Sequence, residues 1–300
     1  MGESHGVRAE MASMLRLYRS QATGYQWFLY WVGAILALSG AVHVIVFLVD
    51  GGSWTGPVSW RKPIVFGFSF GLTVATLGWV LGFLRIRHRV GWTLAAILGL
   101  ASAGEVALIT MQRWRGVPSH FNNTTLFDTA VFGAMGVLVV CIAVAIIVIA
   151  ATSITSLRAS PSLGWAIRLG LLVLVAGQGI GVSIVANGSN TFGLAGSMTL
   201  PHAVTLHAIQ VIPAVAWLAA FTDWREAIRL RIVAVAGVAY AVLTATLALQ
   251  TYRGLAPFDL GPFEMGLMAA GTLTLLGVAV ITASGVRQRN SKGTPASKVP

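Results

Sequence analysis

Charge is scarce in this chain. Asp, Glu, Lys and Arg make up 10% of its 300 residues, against roughly 25% in an ordinary soluble domain. Acids are scarcer than bases, at nine against 20. Cysteine occurs once, as Cys141, which excludes an intrachain disulfide and a thiolate metal cluster. Several catalytic signatures are also missing: a Walker A loop, HExxH, paired Asp-rich strings for diphosphate-magnesium chemistry, a Gly-x-Ser-x-Gly elbow and a CxxCH haem attachment site.

What the chain does have is apolar length. Hydrophobic residues reach 56% and the mean hydropathy is +0.79. A helix needs about 20 apolar residues to cross a hydrocarbon core about 30 Å thick. Eight stretches meet this, at 26–49, 63–85, 91–112, 127–151, 164–186, 201–222, 231–251 and 261–285. The expected fold is an all-α polytopic membrane bundle. Residues 1–25 contain Arg8, Arg16 and Arg19 but no short apolar core with a cleavage site, so they read as a cytoplasmic tail lying along the membrane surface.

The net charge of +11 invites a nucleic-acid reading, which its distribution opposes. With the N-terminus inside the cell, 15 of the 20 basic residues fall in the tails and cytoplasmic loops, and only Arg61, Lys62, Arg113, Arg115 and Arg253 lie on the other side. That is the positive-inside pattern of a chain with both ends cytoplasmic, here in a bacterial inner membrane. The partner this implies is the lipid bilayer, not nucleic acid.

One string recurs. Gln112, Arg115, Gly116 and Pro118 in QRWRGVP are echoed by Gln250, Arg253, Gly254 and Pro257 in QTYRGLAP, with the glutamines 138 residues apart. The same offset relates Trp27 to Trp165 and Pro63 to Pro201. The expectation is a tandem duplication into two parallel four-helix repeats, 26–151 and 164–285, joined by a cytoplasmic linker at 152–163 and followed by a basic tail at 286–300. Within the string, Gln and Arg are expected to meet the last helix carbonyls while Gly116 and Gly254 take the left-handed cap. Asp128 and Glu264 read as first-turn acids complementing helix dipoles.

Polar residues within the spans are few and share a depth near the outer face. Glu105 is the candidate catalytic or proton-accepting group, because a charge in lipid must turn inward and find a partner. His43 and His207 are candidate metal ligands, since neutral imidazole is the commonest protein metal ligand. Gln112, Arg113, His120, Asn122, His202 and Gln210 are candidate substrate contacts around an outward pocket between the repeats.

The strings SWRKPIVFGFSFG, QRWRGVPSHFN and LHAIQVIP resemble those of a group of uncharacterised bacterial multi-pass membrane proteins, a resemblance that spans most of the chain and implies no activity or cofactor. The plan of two four-helix units with outward histidines is similar to haem A synthase, although the Glu-x-x-His-Arg pattern expected there is missing. Two functional readings follow. In one, the pocket holds a b-type haem or a transition metal on His43 and His207 for redox chemistry. In the other, the protein is a proton-linked carrier or binding protein for a small or lipid-like solute. A cofactor-free acid–base enzyme acting on a lipid through Glu105 is a third expectation, and pure packing roles for these groups a fourth.

Overall fold

The computed structural model describes residues 6–292. Residues 293–300, most of the expected basic tail, lie outside the described residues. Among the described residues, eight helical segments are long and apolar enough to span a bilayer, so this is an all-α, multi-pass membrane protein. The chain divides into two units. The first is Ala22–Ser156; the second joins the described residues of Met1–Gln21 to those of Leu157–Pro300.

The first unit contains α2 (Gly24–Asp50), α3 (Arg61–Leu81), α4 (His88–Trp114) and α5 (Leu126–Ser156). Helices α2 and α3 touch backbone to backbone. A Cβ placed on Gly67 would stand 2.8 Å from the Gly40 Cα and from the Leu36 carbonyl oxygen, so only glycine permits this approach. Gln26 fastens the start of α2: its Oε1 accepts from the Thr23 N–H and hydroxyl, and its Nε2 donates to the Gly78 carbonyl of α3. Helix α3 stops four residues before the expected Arg85, because its end tightens into i→i−3 bonds at Gly82, Phe83 and Leu84.

The second unit contains α1 (Val7–Gln21), α6 (Pro161–Asn187), α7 (Thr199–Leu206), α8 (Ala208–Ala219), α9 (Glu226–Tyr252) and α10 (Pro262–Lys292). A two-strand hairpin, β1 (Thr191–Phe192) against β2 (Gly196–Ser197), fills the loop after α6. Thr251 donates its hydroxyl to the Ser197 carbonyl and so holds the hairpin on α9.

Three expectations need correction here. Residues 201–222 form two helices rather than one, with His207 at the joint (φ −88°, ψ 2°). Thr205 bonds back to the Pro201 and His202 carbonyls, which bends a helix, and Pro213 removes a further N–H. The Tyr240 hydroxyl donates to the Val204 carbonyl beside the break (2.6 Å), where lipid offers no substitute for the lost helical bond.

The segment between α5 and α6 is only 157–160, since both helices run into the expected linker. Finally, α1 does not lie apart as a tail. Val7 and Met14 are buried in a cluster with Phe221, against which Met11, Tyr18, Trp217 and Val286 pack. Burial pushes the Tyr18 hydroxyl above its usual range, offset by a bond with Trp217. Arg289, 2% exposed near the end of α10, closes this arrangement by pairing with Glu10 (2.8 Å) and Asp223 (3.4 Å).

Candidate functional site

The recurring string ends α4 and α9 in the same way. Arg115 N–H bonds to the Met111 carbonyl, Gly116 N–H to Arg113 and Val117 N–H to Gln112; Arg253, Gly254 and Leu255 repeat the pattern on Leu249, Thr251 and Gln250. The two glycines sit at φ 72° and 74°, the left-handed cap the sequence leads one to expect. The side chains go elsewhere than expected, to the acids opening the next helix and to the intervening loop, not to the last helix carbonyls. Arg115 pairs with Asp128 (2.6 Å), and Arg253 with Glu264 (2.6 Å). Gln112 donates to Asp128 and accepts from Arg115, whereas Gln250 donates to the Ala256 and Asp259 carbonyls.

In the first unit, Asp128 organises the loop that precedes α5. Its second oxygen accepts from the Thr124 and Thr125 hydroxyls, and Thr124 in turn binds Asn122. Asn122, 3% exposed, spends its amide on the Pro118 carbonyl and on Thr124. Gln112 and Asn122, read from the sequence as substrate contacts, therefore have their hydrogen-bonding groups occupied in holding this loop.

The loop's product is the placement of His120. Phe121 follows it at φ 54°, a left-handed backbone that a phenylalanine seldom adopts. The rings of Phe66, Phe121 and Phe132 surround the imidazole at centroid distances of 5.8, 6.4 and 6.3 Å. Its Nδ1 meets the Ser119 hydroxyl at 2.9 Å, and its Nε2 lies 3.9 Å from Oε1 of Glu105. Lys62 completes the group by donating to Ser119 Oγ at 3.3 Å. Burial, reinforced by the nearby Lys62 cation, pushes the His120 pKa down to about 4.

Glu105 itself is 1% exposed. It stands nine residues before the end of α4, roughly 13 Å along the axis at 1.5 Å per residue. Its Oε2 has no hydrogen-bond partner, nor has the Ser102 hydroxyl one turn earlier on the same helix. Buried polar atoms without partners are uncommon and costly.

His43 belongs to a second cluster of this unit. Its Nδ1 meets the Ser39 carbonyl at 2.7 Å, and its Nε2 accepts from the Trp114 N–H at 3.1 Å. Both ring nitrogens are thus engaged, and ligation of a metal through Nε2 would require the release of Trp114. Arg113 lies over the Trp60 ring at 3.7 Å and 3.9 Å from Asp50, which also accepts from the Trp60 N–H. A shallow groove of about 310 Å³ runs alongside, lined by Ile45, Val46, Val49, Asp50, Trp60 and Trp114.

The remaining candidates belong to the second unit. His202 Nδ1 meets the Gly177 carbonyl at 2.8 Å, and His207 at the helix joint has its Nδ1 3.3 Å from Gln210 Oε1. Among the described residues, no group of three or more His, Cys, Asp or Glu side chains is arranged to hold a metal ion. Of the nine sequence candidates, then, Glu105 and His120 meet, Arg113 and His43 join one aromatic cluster, and Gln112 and Asn122 hold the loop. Lys62, read from the sequence only as one of five basic residues on the outer side, and Ser119 complete the group of Glu105 and His120. Their adjacency in SHF and RKP carried no mark of a shared cluster. Comparison with known proteins finds no match among protein-family models, curated proteins or solved structures.

Proposed function

We propose that this membrane protein is a proton-linked carrier for a small or lipid-like solute, with Glu105 as the group whose protonation changes during the cycle. The observation that carries this reading is a carboxyl buried in a membrane span, with one oxygen unpartnered and the other facing a histidine. Ionisable groups at such positions are expensive and mark ion or proton pathways. The joint at His207 adds support, since discontinuous helices are a recurring feature of secondary transporters. A haem or metal on His43 and His207 has less support, because both ring nitrogens of His43 are already hydrogen bonded.

In this proposal the two halves derive from one duplicated four-helix unit, a view supported by the matched caps at Gly116 and Gly254 and the matched pairs Arg115–Asp128 and Arg253–Glu264. The basic loops and tails face the cytoplasm of a bacterial cell, so the Glu105 end of the first unit faces outward.

The test reconstitutes the full chain in vesicles containing a pH-sensitive dye and challenges them with a panel of small ions and single-chain amphiphiles. Solute-dependent proton movement is expected from the wild type and lost in Glu105→Gln. Equal movement in both proteins would overturn the proposal, as would a Soret band with stoichiometric iron in the purified protein.

A further inference from the structure

The chain of side chains leading to Glu105 extends this reading and rests on it. We infer that Lys62, Ser119 and His120 form the path by which protons reach and leave Glu105. The contacts run in an unbroken order: Lys62 Nζ to Ser119 Oγ at 3.3 Å, Ser119 Oγ to His120 Nδ1 at 2.9 Å, and His120 Nε2 to Glu105 Oε1 at 3.9 Å. The last step is just beyond hydrogen-bond distance. A small turn of the imidazole makes or breaks it, which is how a gate in such a path would work.

The donor directions agree. Lys62 has only protons to give, so Ser119 accepts from it and turns its own O–H toward Nδ1. His120 then carries its proton on Nε2, the atom facing Glu105. For inward transfer, Lys62 gives a proton to Ser119 Oγ, Ser119 gives its own to Nδ1, and the Nε2 proton passes to the Glu105 carboxylate. The balance is one proton moved from Lys62 to Glu105, with serine and imidazole neutral before and after. Release runs the same transfers in reverse, Glu105 to Nε2, Nδ1 to Ser119 Oγ and Ser119 to the Lys62 amine, which restores the starting tautomer, and Lys62 exchanges its proton with solvent.

The surroundings suit this use. α3 contributes Lys62 to the group, α4 contributes Glu105 and the loop contributes Ser119 and His120, while α5 presents the Phe132 ring. The depressed pKa of His120 keeps the resting imidazole neutral at physiological pH, with one nitrogen free to accept a proton and the other to donate. Asp128 lies apart from this group, committed to Gln112 and Arg115.

The experiment follows the carboxyl stretching band of Glu105 by infrared difference spectroscopy after a pH jump, using the full-length protein in lipid. The band is assigned by its loss in Glu105→Gln. His120→Gln keeps a hydrogen-bonding side chain of similar length but cannot shuttle a proton, and Ser119→Ala cuts the path from Lys62. Each is expected to slow the response of the band by about 100-fold while leaving its final amplitude unchanged. Both variants are checked for wild-type helical content and elution. A wild-type rate in either well-folded variant overturns the path and leaves Glu105 as the protonation site. The absence of any Glu105-dependent band overturns the carrier reading along with the path.

Discussion

Asp128 shows how one residue can hold a loop in place. Gln112, Arg115, Thr124 and Thr125 all end on its two oxygens, so replacing it leaves several donors facing a side chain that cannot accept from them all. Asp128→Asn should therefore lower the thermal midpoint of the detergent-solubilised protein well below that of Glu264→Gln, whose partner Arg253 is half exposed. Equal shifts in differential scanning fluorimetry would deny the loop this role. At His120 the sign of the pH dependence is set. The folded state lowers its pKa from 6.5 to about 4, so protonation favours the unfolded chain. Stability contributed by the partly buried neutral ring is complete above pH 6.5 and is lost as pH falls toward 4. A thermal-stability titration should show this loss in the wild type and a flatter profile in His120→Gln. The left-handed caps at Gly116 and Gly254 were legible from the string itself. The destination of Arg115 was not, because Asp128 lies 13 residues on, across a loop with no periodicity to mark the pairing.

Among the elements, length and apolarity made the eight spans legible, since a bilayer imposes the same requirement on each. Contacts between helices are a different matter. The approach of α2 to α3 depends on backbone meeting backbone, so Gly67→Ala should force the pair apart at a cost of about 1–3 kcal/mol, measured as reduced thermal stability. The break at His207 was hidden because its stabilising group comes from another helix. Tyr240→Phe removes the hydroxyl bonded to the Val204 carbonyl and should cost about 0.5–1.5 kcal/mol. Amide exchange should rise near residues 204–208 and remain unchanged in the hairpin at 191–197. Uniform exchange across both regions would mean the tyrosine does not act locally.

At the scale of the whole molecule, the N-terminal segment belongs to the second unit although it is joined in sequence to the first. Its composition reads equally well as a surface tail, because Arg8, Arg16 and Arg19 satisfy a lipid headgroup layer as well as any protein partner. What docks it is Arg289, which pairs with Glu10 across 279 residues of chain. Arg289→Ala leaves two acids and a buried apolar face without their partner, and should raise tryptic cleavage within residues 7–21 by at least about tenfold. Wild-type resistance would place the holding force in the apolar cluster around Val7, Met14 and Phe221 and in the bond from Val7 N–H to Asn290.

That long-range pairing also sets an order of assembly. Glu10 leaves the ribosome 279 residues ahead of Arg289, so at about 5–20 residues per second α1 waits for roughly 15–55 s before that partner exists. Until Trp217 and Phe221 emerge, Val7 and Met14 have no protein surface to cover them. The membrane is the nearest apolar phase, and a helix with this pattern rests there. The surface-bound tail suggested by the sequence would then be the state of α1 in the interval before α10 arrives to claim it.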